Sequence, residues 1–198
     1  MDRDYLIAKE WFGSTDLFDW INKRGALDKK IAQKILKQVV ETIWQCFNQS
    51  VAHHDIKDEN ILLDPNTIEI KLIDSGGGAL LENRPFRDFL GTMVYSPQEW
   101  IQALEYTLEA LTVWSQGTVL YTLRFGDCPF PKPEDVEKAN PDWGRMINCN
   151  DDLQVLVLQC LKVVPLQRIT LSQIIQSPWL WDPTARKPYP SHMEPKVS

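Results

Sequence analysis

The residues best suited to chemistry lie in one polar stretch and in a second stretch shortly after it. The first reads His53-His54-Asp55-Ile56-Lys57-Asp58-Glu59-Asn60, and the second reads Leu72-Ile73-Asp74-Ser75-Gly76. A carboxylate such as Asp55 could accept a hydrogen bond from a hydroxyl, and Lys57 could steady a phosphate group. Asn60 and Asp74 add an amide oxygen and a carboxylate, which are ligand types that Mg²⁺ accepts. This set of groups suits phosphoryl transfer, which requires positioning and charge compensation more than covalent catalysis.

The spacing of these residues matches H-R-D-x-x-x-x-N followed by a strand and D-F-G, the pattern of a protein kinase catalytic loop. In that pattern Asp55 is the catalytic base, while Asn60 and Asp74 are the magnesium ligands. A polar turn could contain any one of these residues by chance. A match of four residues in register, followed by Asp74 and Gly76, is much less frequent. We therefore interpret the stretch as a kinase catalytic loop.

The elements that must position this loop are mostly helical. Apolar residues recur every four positions from Ile31 to Phe47, which predicts a long helix with one buried side. Two apolar runs, 61–63 and 68–73, are separated by the turn-forming Asp64-Pro65-Asn66 and predict a small β hairpin. The glycines and prolines of 75–99 predict a long ordered loop, and long loops in compact domains are usually functional.

The remaining pattern predicts one mostly α-helical domain at 1–181 with the single hairpin as its main β structure. The other elements expected are a strand at 5–8, a short helix through 17–21 with Ser14 or Thr15 as its N-cap, and helices at 112–124, 151–162 and 170–176. The proline-containing end, 182–198, predicts a disordered tail.

The matching segments closely resemble the Pim family of serine/threonine protein kinases. Asp55 to Leu62 and Lys71 to Asp74 carry the strongest similarity, and the match keeps its spacing nearly throughout 5–181. Further similar segments are Asp16 to Asp19, Arg24 to Leu27, Gly78 to Leu81, Asp88-Phe89, Gly91-Thr92, Val94 to Pro97, Glu99 to Ile101, Val113 to Ser115, Gly126-Asp127, Pro129-Phe130 and Pro178-Trp179.

The resemblance implies a protein-kinase-like C-terminal lobe that uses ATP and Mg²⁺. In it, Leu62 and Glu10 would contribute to the nucleotide site together with the magnesium ligands. His53 would support the catalytic loop, and Thr92 would support Asp55.

The resemblance also implies an ion pair between Glu99 and Arg168, and basic serine- or threonine-containing proteins as substrates or partners. Acidic residues stand at the matching peptide-binding positions, and each could equally be a solvated surface carboxylate. They are Asp16, Asp19, Asp58, Glu59 and Asp127.

Several parts of a complete kinase have no counterpart in the 198 residues. No G-x-G-x-x-G is present, and Tyr5 to Glu10 correspond to the last strand of the small lobe and the start of the hinge. The expected fold is therefore a C-terminal lobe lacking the β-rich N-terminal lobe. We expect no catalysis by the isolated chain, and only weak binding of Mg²⁺ and ATP, because most of the positioning would be lost.

Two positions inside the site also depart from the pattern. The arginine before the catalytic aspartate is His54, which supplies a cation only when it is protonated. The phenylalanine of D-F-G is Ser75, which replaces an apolar side chain with a hydroxyl.

Three hypotheses remain open, and they leave open whether the chain is an enzyme. The chain could be a pseudokinase fragment that binds partners or substrates. It could be part of a complete serine/threonine kinase, as the presence of Asp55, Lys57, Asn60 and Asp74 favours. It could also be a degenerate gene duplicate, which His54 and Ser75 favour.

Composition excludes several other classes of function. The formal net charge is −6 and no block of basic residues occurs, so nucleic acid is a poor partner. No apolar run approaches the length of a membrane helix, and the acidic start is unlike a secretory signal. The four cysteines show neither a C-x-x-C pair nor metal-ligand spacing, which favours reduced thiols. We therefore expect a monomer in the cytoplasm or the nucleus, or both.

Overall fold

The computed structural model describes residues 13–82, 84–89, 91–139, 141 and 152–181. Glu10, the strand predicted at 5–8 and the tail predicted at 182–198 lie outside these residues. The helices are α1 (Leu17–Arg24), α2 (Lys29–Asn48), α3 (Gln98–Ala103), α4 (Leu108–Phe125), α5 (Pro133–Lys138), α6 (Asp152–Cys160) and α7 (Leu171–Ile175). The strands are β1 (Thr15–Asp16), β2 (Val51–Ala52), β3 (Ile61–Asp64), β4 (Glu69–Leu72) and β5 (Ala79–Leu80).

Helix α2 has the single buried side that its sequence pattern predicts. The side chain of Asp28 caps its N-terminus by accepting hydrogen bonds from the backbone N–H groups of Lys30 and Ile31. Its apolar stripe, which includes Ile35, Leu36, Val39 and others, is buried in the main core. The lysines of the helix mostly lie on its other side, where the helix meets solvent.

The predicted hairpin is present as the antiparallel pair β3–β4, in which Ile61 pairs with Leu72 and Asp64 with Glu69. Strand β1 adds to the other edge of β3, so the small sheet has the order β1-β3-β4. Gln38 of α2 fastens the hairpin, since its amide donates to the carbonyl of Ile68 (2.9 Å) and accepts from the N–H of Ile70 (3.1 Å). The hairpin therefore has a fixed position on α2.

Helix α4 crosses the core and is buried over most of its length. It packs closely against α6 at Gly117, where an added Cβ would lie 2.5 Å from the Cβ of Cys160. Since real Cβ atoms do not approach this closely, only glycine allows the two helices to meet here.

Some local predictions were wrong. The N-cap of α1 is Asp16, whose Oδ1 accepts from the N–H of Asp19 at 2.7 Å, and neither Ser14 nor Thr15 fills this role. Helices α3 and α5 were not predicted, because each has only six residues and α5 begins at Pro133, inside a segment that reads as a break. Proline suits this first helical position since its missing N–H would have no partner there.

The predicted fold class is confirmed, because the described residues form mostly helices with two small sheets. The loop 75–99 leaves the hairpin, pairs briefly through β5 with β2, and ends at α3. We call this loop the activation segment. Among the described residues, no helix is long and apolar enough to cross a membrane.

Candidate active site

Asp55 lies in the loop between β2 and β3, and its carboxylate is held on both oxygens. Oδ1 accepts from the backbone N–H and from the hydroxyl of Thr92, which lies in the activation segment. Oδ2 accepts from Nδ2 of Asn60 at 3.0 Å, and the same Nδ2 donates to the backbone carbonyl of Asp55 at 2.8 Å. The two residues that meet on this carboxylate come from segments more than thirty positions apart.

Lys57 completes the charge balance around Asp55. Its Nζ lies 3.4 Å from Oδ2 of Asp55 and 3.1 Å from Oε2 of Glu59, and it donates to the hydroxyl of Thr92 at 2.9 Å. Burial alone would lower the pKa of Lys57, but the hydrogen bond to Glu59 and the charge of Asp55 raise it above its ordinary value. The ammonium is therefore charged at neutral pH and lies beside the predicted catalytic base.

His53 ties the catalytic loop to the end of the hairpin. Its Nε2 lies 2.8 Å from the carbonyl of Ile73, which can only accept, so Nε2 carries the proton. Burial lowers the pKa of His53, which favours this neutral imidazole. The N–H of Ile73 donates to the carbonyl of Asn60 at 2.9 Å. These contacts bring Asp74, the next residue, beside Asn60.

The two predicted magnesium ligands suit a magnesium ion that also binds phosphate oxygens. Since Asn60 uses its Nδ2 on Asp55, its Oδ1 is the amide atom left for a cation. Asp74 is exposed and has a left-handed backbone with φ of 58°. Within the described residues, no cluster of three His, Cys, Asp or Glu side chains could enclose a metal. Asn60 and Asp74 would instead share an ion with a nucleotide and water, which is how Mg²⁺ is usually held.

The residues predicted to contact the nucleotide are placed only in part. Leu62 lies in β3 between the buried Ile61 and Leu63, so its half-buried side chain lies on the opposite face of the small sheet. A nucleotide contact at Leu62 stays a prediction, and Glu10 lies outside the described residues.

Glu99 and Arg168 are in direct contact, with both guanidinium nitrogens of Arg168 donating to the two carboxylate oxygens of Glu99 at 2.8 Å. The Arg168 side chain is only 1% exposed and also donates to the carbonyls of Ala110 and Lys162. Its guanidinium lies over the ring of Trp114 at 4.9 Å. This pair therefore joins α3, at the end of the activation segment, to α4 and to the loop before α7.

Three of the five predicted peptide-binding carboxylates line one groove. The groove has a volume of about 210 Å³ and includes Asp58, Glu59, Asp127 and Thr92 in its lining. Because Thr92 also touches Asp55, the groove begins beside the predicted catalytic base. Asp16 and Asp19 do not line it, and they instead cap and flank the start of α1. We call this cavity the acidic groove.

Asp58 differs from the surface carboxylate that the sequence suggested. The residue is only 2% exposed, and its Oδ1 accepts from the hydroxyl of Tyr95 at 2.7 Å and from the N–H of Glu59. Burial raises the pKa of Asp58 above its ordinary value. The pKa of Tyr95 is raised well above its ordinary value by burial and by the negative charge of Asp58. Asp58 is therefore a buried part of the groove lining, and Glu59 and Asp127 are its exposed carboxylate residues.

Two tyrosines of the site were missed by sequence reasoning. Tyr95 lies in the Val94-Tyr95-Ser96-Pro97 segment, so the similarity of that segment was a usable signal. Tyr106, which contacts His54, had no such signal. Ser75, in the position of the D-F-G phenylalanine, is exposed.

The chain is similar to known protein kinases over nearly all of its length. Residues 1–180 match the family described as "Protein kinase domain". The chain is 46% identical over 167 residues to "Serine/threonine-protein kinase pim-2" of Danio rerio, which covers 84% of this chain and 53% of that protein. It is 33% identical over 177 residues to "Serine/threonine-protein kinase prk-2" of Caenorhabditis elegans, covering 88% of this chain and 40% of that protein.

The chain matches only part of each relative, which limits what the similarity shows. The chain spans about half the length of the Danio rerio kinase and less of the nematode one. The similarity nevertheless includes the loop that carries Asp55 and the activation segment that supports it, in a kinase-like fold. From its sequence match and its fold, the chain belongs to the protein kinase domain family and is related to the Pim-like kinases.

Proposed function

We propose that this site is the catalytic-loop half of an ATP- and Mg²⁺-dependent serine/threonine kinase site. The observation that supports it most directly is the carboxylate of Asp55, which is held by Thr92 and Asn60 and lies beside the ammonium of Lys57. In this proposal Asp55 accepts the hydrogen bond of the substrate hydroxyl, and Lys57 steadies the transferred phosphate. Asn60 and Asp74 hold Mg²⁺, which would neutralise charge on the phosphates.

The acidic groove makes basic protein segments the proposed substrates. Glu59 and Asp127 offer carboxylates beside Thr92, which touches the catalytic base, so a basic side chain in the groove would bring its neighbouring hydroxyl toward Asp55. Negative potential in a concave site attracts cationic partners and disfavours anionic ones. A cytoplasmic or nuclear monomer fits this activity and fits the free thiols of Cys46, Cys128 and Cys160.

The groups that cover the nucleotide phosphates must come from outside these 198 residues. Without a Gly-rich loop and its strand lysine, the isolated chain would lose most of the positioning that phosphoryl transfer requires. We therefore expect the isolated chain to have no kinase activity. We expect the same chain to become active when it is fused to a small lobe.

The experiment is to compare the isolated chain with a chimera in which the small lobe of a Pim kinase precedes Tyr5. Transfer of labelled phosphate from Mg-ATP to a basic serine peptide is measured for both proteins. We expect activity only in the chimera, and loss of that activity in Asp55→Asn and Asp74→Asn. Asp19→Asn is the matched control, since this exposed carboxylate does not line the acidic groove.

A folded chimera without phosphoryl transfer would contradict the proposed activity. Activity that survives Asp55→Asn would contradict the role of Asp55 and would point to a contaminating kinase. Circular dichroism and a thermal unfolding curve of each protein separate loss of chemistry from loss of fold.

A non-catalytic binding module is the second candidate function. Val51, Ile73 and Leu80 are 37%, 39% and 67% exposed, and the first and last of these form a pair in the β2–β5 sheet. The exposed apolar pair of Val51 and Leu80 favours a covering partner. Under this function the folded chimera stays inactive, and replacing Leu80 by serine lowers the self-association of the isolated chain in analytical ultracentrifugation.

A further inference from the structure

His54 stands where the catalytic loop pattern has arginine, and both of its ring nitrogens face oxygen atoms. The residue is only 5% exposed and has a positive φ of 76°. Nδ1 lies 2.9 Å from the carbonyl of Gly77, and Nε2 lies 2.5 Å from the hydroxyl of Tyr106. The buried ring is therefore attached on both sides.

The donors and acceptors around this ring can be counted. The carbonyl of Gly77 can only accept, so Nδ1 must donate to it. The hydroxyl of Tyr106 donates its single proton to the carbonyl of Asp88 at 2.7 Å, so it accepts from Nε2. Burial raises the pKa of Tyr106 to about 12, so this hydroxyl keeps its proton at neutral pH. An imidazole that donates from both nitrogens is the protonated imidazolium.

Aromatic side chains surround the ring of His54. The rings of Phe86, Phe89 and Tyr106 lie around His54, with centroid distances between 5.6 and 6.4 Å. The contacts with Phe86 and Phe89 are edge contacts, and the contact with Tyr106 is tilted. These three aromatic residues belong to a small second core that also includes Phe47, Trp100 and Leu108.

The charged and titratable groups near His54 come from three segments. In the catalytic loop its neighbours are His53, whose positive charge would oppose that of His54, and Asp55. In the activation segment Asp88 accepts from Tyr106 through its backbone carbonyl, and the residue before it is Arg87. Beside Tyr106 lies Glu105, and the exposed Arg87–Glu105 ion pair neutralises both of those side chains.

The contacts of His54 join the catalytic loop to two separate points of the activation segment. Gly77 lies at its start and Asp88 lies in its middle. The backbones of Phe86 and Tyr106 pair through two hydrogen bonds, of 2.8 and 3.1 Å, next to the same point. Gly91 follows, where an added Cβ would lie 3.3 Å from the carbonyl of His54, and Thr92 comes directly after it.

We propose that His54 is a positioning residue that holds the activation segment through Gly77 and the Tyr106–Asp88 relay, and that it does so as an imidazolium. We call this arrangement the His54 latch. It places an imidazole where the catalytic-loop pattern has arginine, and it acts through the segment that places Thr92 on Asp55. The inference does not depend on the proposed enzymatic activity.

The pH dependence follows from the hydrogen-bond count. The imidazolium makes three hydrogen bonds possible, namely to Gly77, to Tyr106 and from Tyr106 to Asp88. In the neutral ring one proton is missing, so Tyr106 can donate either to Nε2 or to Asp88, and only two bonds remain. The latch is complete where both ring nitrogens of His54 carry protons, and it loses one bond where only one of them does.

The test uses the full 198-residue chain and two measurements that need no activity. Nitrogen-detected NMR of ¹⁵N-histidine protein shows which ring nitrogens of His54 carry protons, with His54→Gln used for assignment and His192→Gln to simplify the spectrum. Hydrogen exchange at pH 5.5 and pH 8.0, corrected for intrinsic rates, reports on the amides of 84–89. We expect both nitrogens to be protonated at pH 5.5, and protection to be about three- to tenfold higher at pH 5.5 than at pH 8.0, the effect of one hydrogen bond.

Tyr106→Phe is the matched variant, because it keeps the ring and removes only the bridging oxygen. We expect this variant to lose the difference in protection between the two pH values. A single neutral tautomer of His54 at pH 5.5 overturns the proposal, as does equal protection of the wild-type segment at both pH values. A Tyr106→Phe protein that keeps the full difference also overturns it. If Tyr106→Phe does not fold, the two wild-type measurements still decide the question.

Discussion

Thr92 donates both its backbone N–H and its hydroxyl to a single oxygen, Oδ1 of Asp55, at 3.1 Å each. The same hydroxyl accepts from the ammonium of Lys57 at 2.9 Å. One threonine of the activation segment thus holds both side chains that the proposed chemistry requires. Because Thr92 lies 37 residues after Asp55, the arrangement exists only when the activation segment is folded against the catalytic loop.

Replacing Thr92 by valine should destabilise the protein by about 1–2 kcal/mol. Valine keeps the shape and the backbone N–H, but the ammonium and carboxylate each lose a charge-assisted hydrogen bond. Urea unfolding of the isolated chain measures the free-energy difference. Thr92→Ser keeps the hydroxyl and should lie close to wild type. Equal stability of the valine and serine variants would show that the hydroxyl is not coupled to these charges.

Replacing Arg168 by methionine should cost about 3–5 kcal/mol, since it leaves the partly buried carboxylate of Glu99 without its partner. The double variant Arg168→Met with Glu99→Leu should recover part of that loss, because no unpaired charge remains. Recovery stays incomplete, as the carbonyls of Ala110 and Lys162 still lack a donor. Chemical unfolding of the three proteins measures this coupling. Additive effects of the two substitutions would contradict it.

Asp58→Asn should change the pH dependence of stability in a defined direction. Burial raises the pKa of Asp58 in the folded protein above its ordinary value of 3.8. The folded state therefore binds this proton more tightly, so its contribution to stability is complete below that value and is lost as the pH rises through the raised pKa. Asparagine does not titrate, so it makes no such pH-dependent contribution, and its side-chain oxygen can still accept a hydrogen bond from the hydroxyl of Tyr95.

Thermal unfolding between pH 4 and pH 8 tests this prediction. The melting temperature of Asp58→Asn relative to wild type should rise with pH and be highest at neutral pH. Asp19→Asn, at an exposed position, should show no comparable trend. A relative stability of Asp58→Asn that falls toward neutral pH would show that the ionised carboxylate stabilises the fold.

Gly117→Ala should destabilise the protein although alanine is the better helix former. The new Cβ would lie 2.5 Å from the Cβ of Cys160, so α4 and α6 would have to move apart. Overpacking of this kind costs about 1–3 kcal/mol, more than the roughly 1 kcal/mol of helix propensity that alanine adds. Adding Cys160→Gly removes the opposing atom and should restore part of the stability in urea unfolding. Absence of any rescue would place the cause elsewhere than this contact.

Glu59→Gln and Asp127→Asn should each weaken the binding of a basic peptide by a few-fold, as expected for one partly exposed charge pair. Fluorescence polarisation at low and high salt measures the affinity, and added salt should reduce the difference between variant and wild type. Asp19→Asn is the charge-matched control outside the acidic groove. If Asp19→Asn weakens binding equally, net charge and not the groove selects the peptide.

The residues proposed for catalysis could be recognised in the sequence because they follow one another in a local pattern. Asp55, Lys57 and Asn60 lie within six positions, and Asp74 follows a hairpin whose strands and turn are visible as apolar runs around Asp64-Pro65-Asn66. The helix over Lys29–Asn48 could also be predicted from the sequence, since an apolar repeat of four residues over that length indicates a helix and not a strand. These features depend on neighbours in the chain, which a sequence displays directly.

Short helices and helix caps were harder to predict from the sequence because several alternative local conformations have similar energies. Asp16 caps α1 where Ser14 and Thr15 offered the same chemistry. Helices α3 and α5 have only six residues each, too few to show a period, and tertiary packing stabilises helices of that length.

The sequence alone determined which groups could do chemistry and which long elements carry them. Tertiary structure alone decided their environment. From the sequence alone, Asp58 resembles a surface carboxylate, and only the structure shows its hydrogen bond with Tyr95. Likewise, the sequence shows only that His54 replaces an arginine, whereas the structure shows oxygen atoms of Gly77 and Tyr106 beside its two ring nitrogens. Burial and hydrogen-bond partners depend on residues 23 to 52 positions away, and no local pattern specifies which of those residues will make the contact.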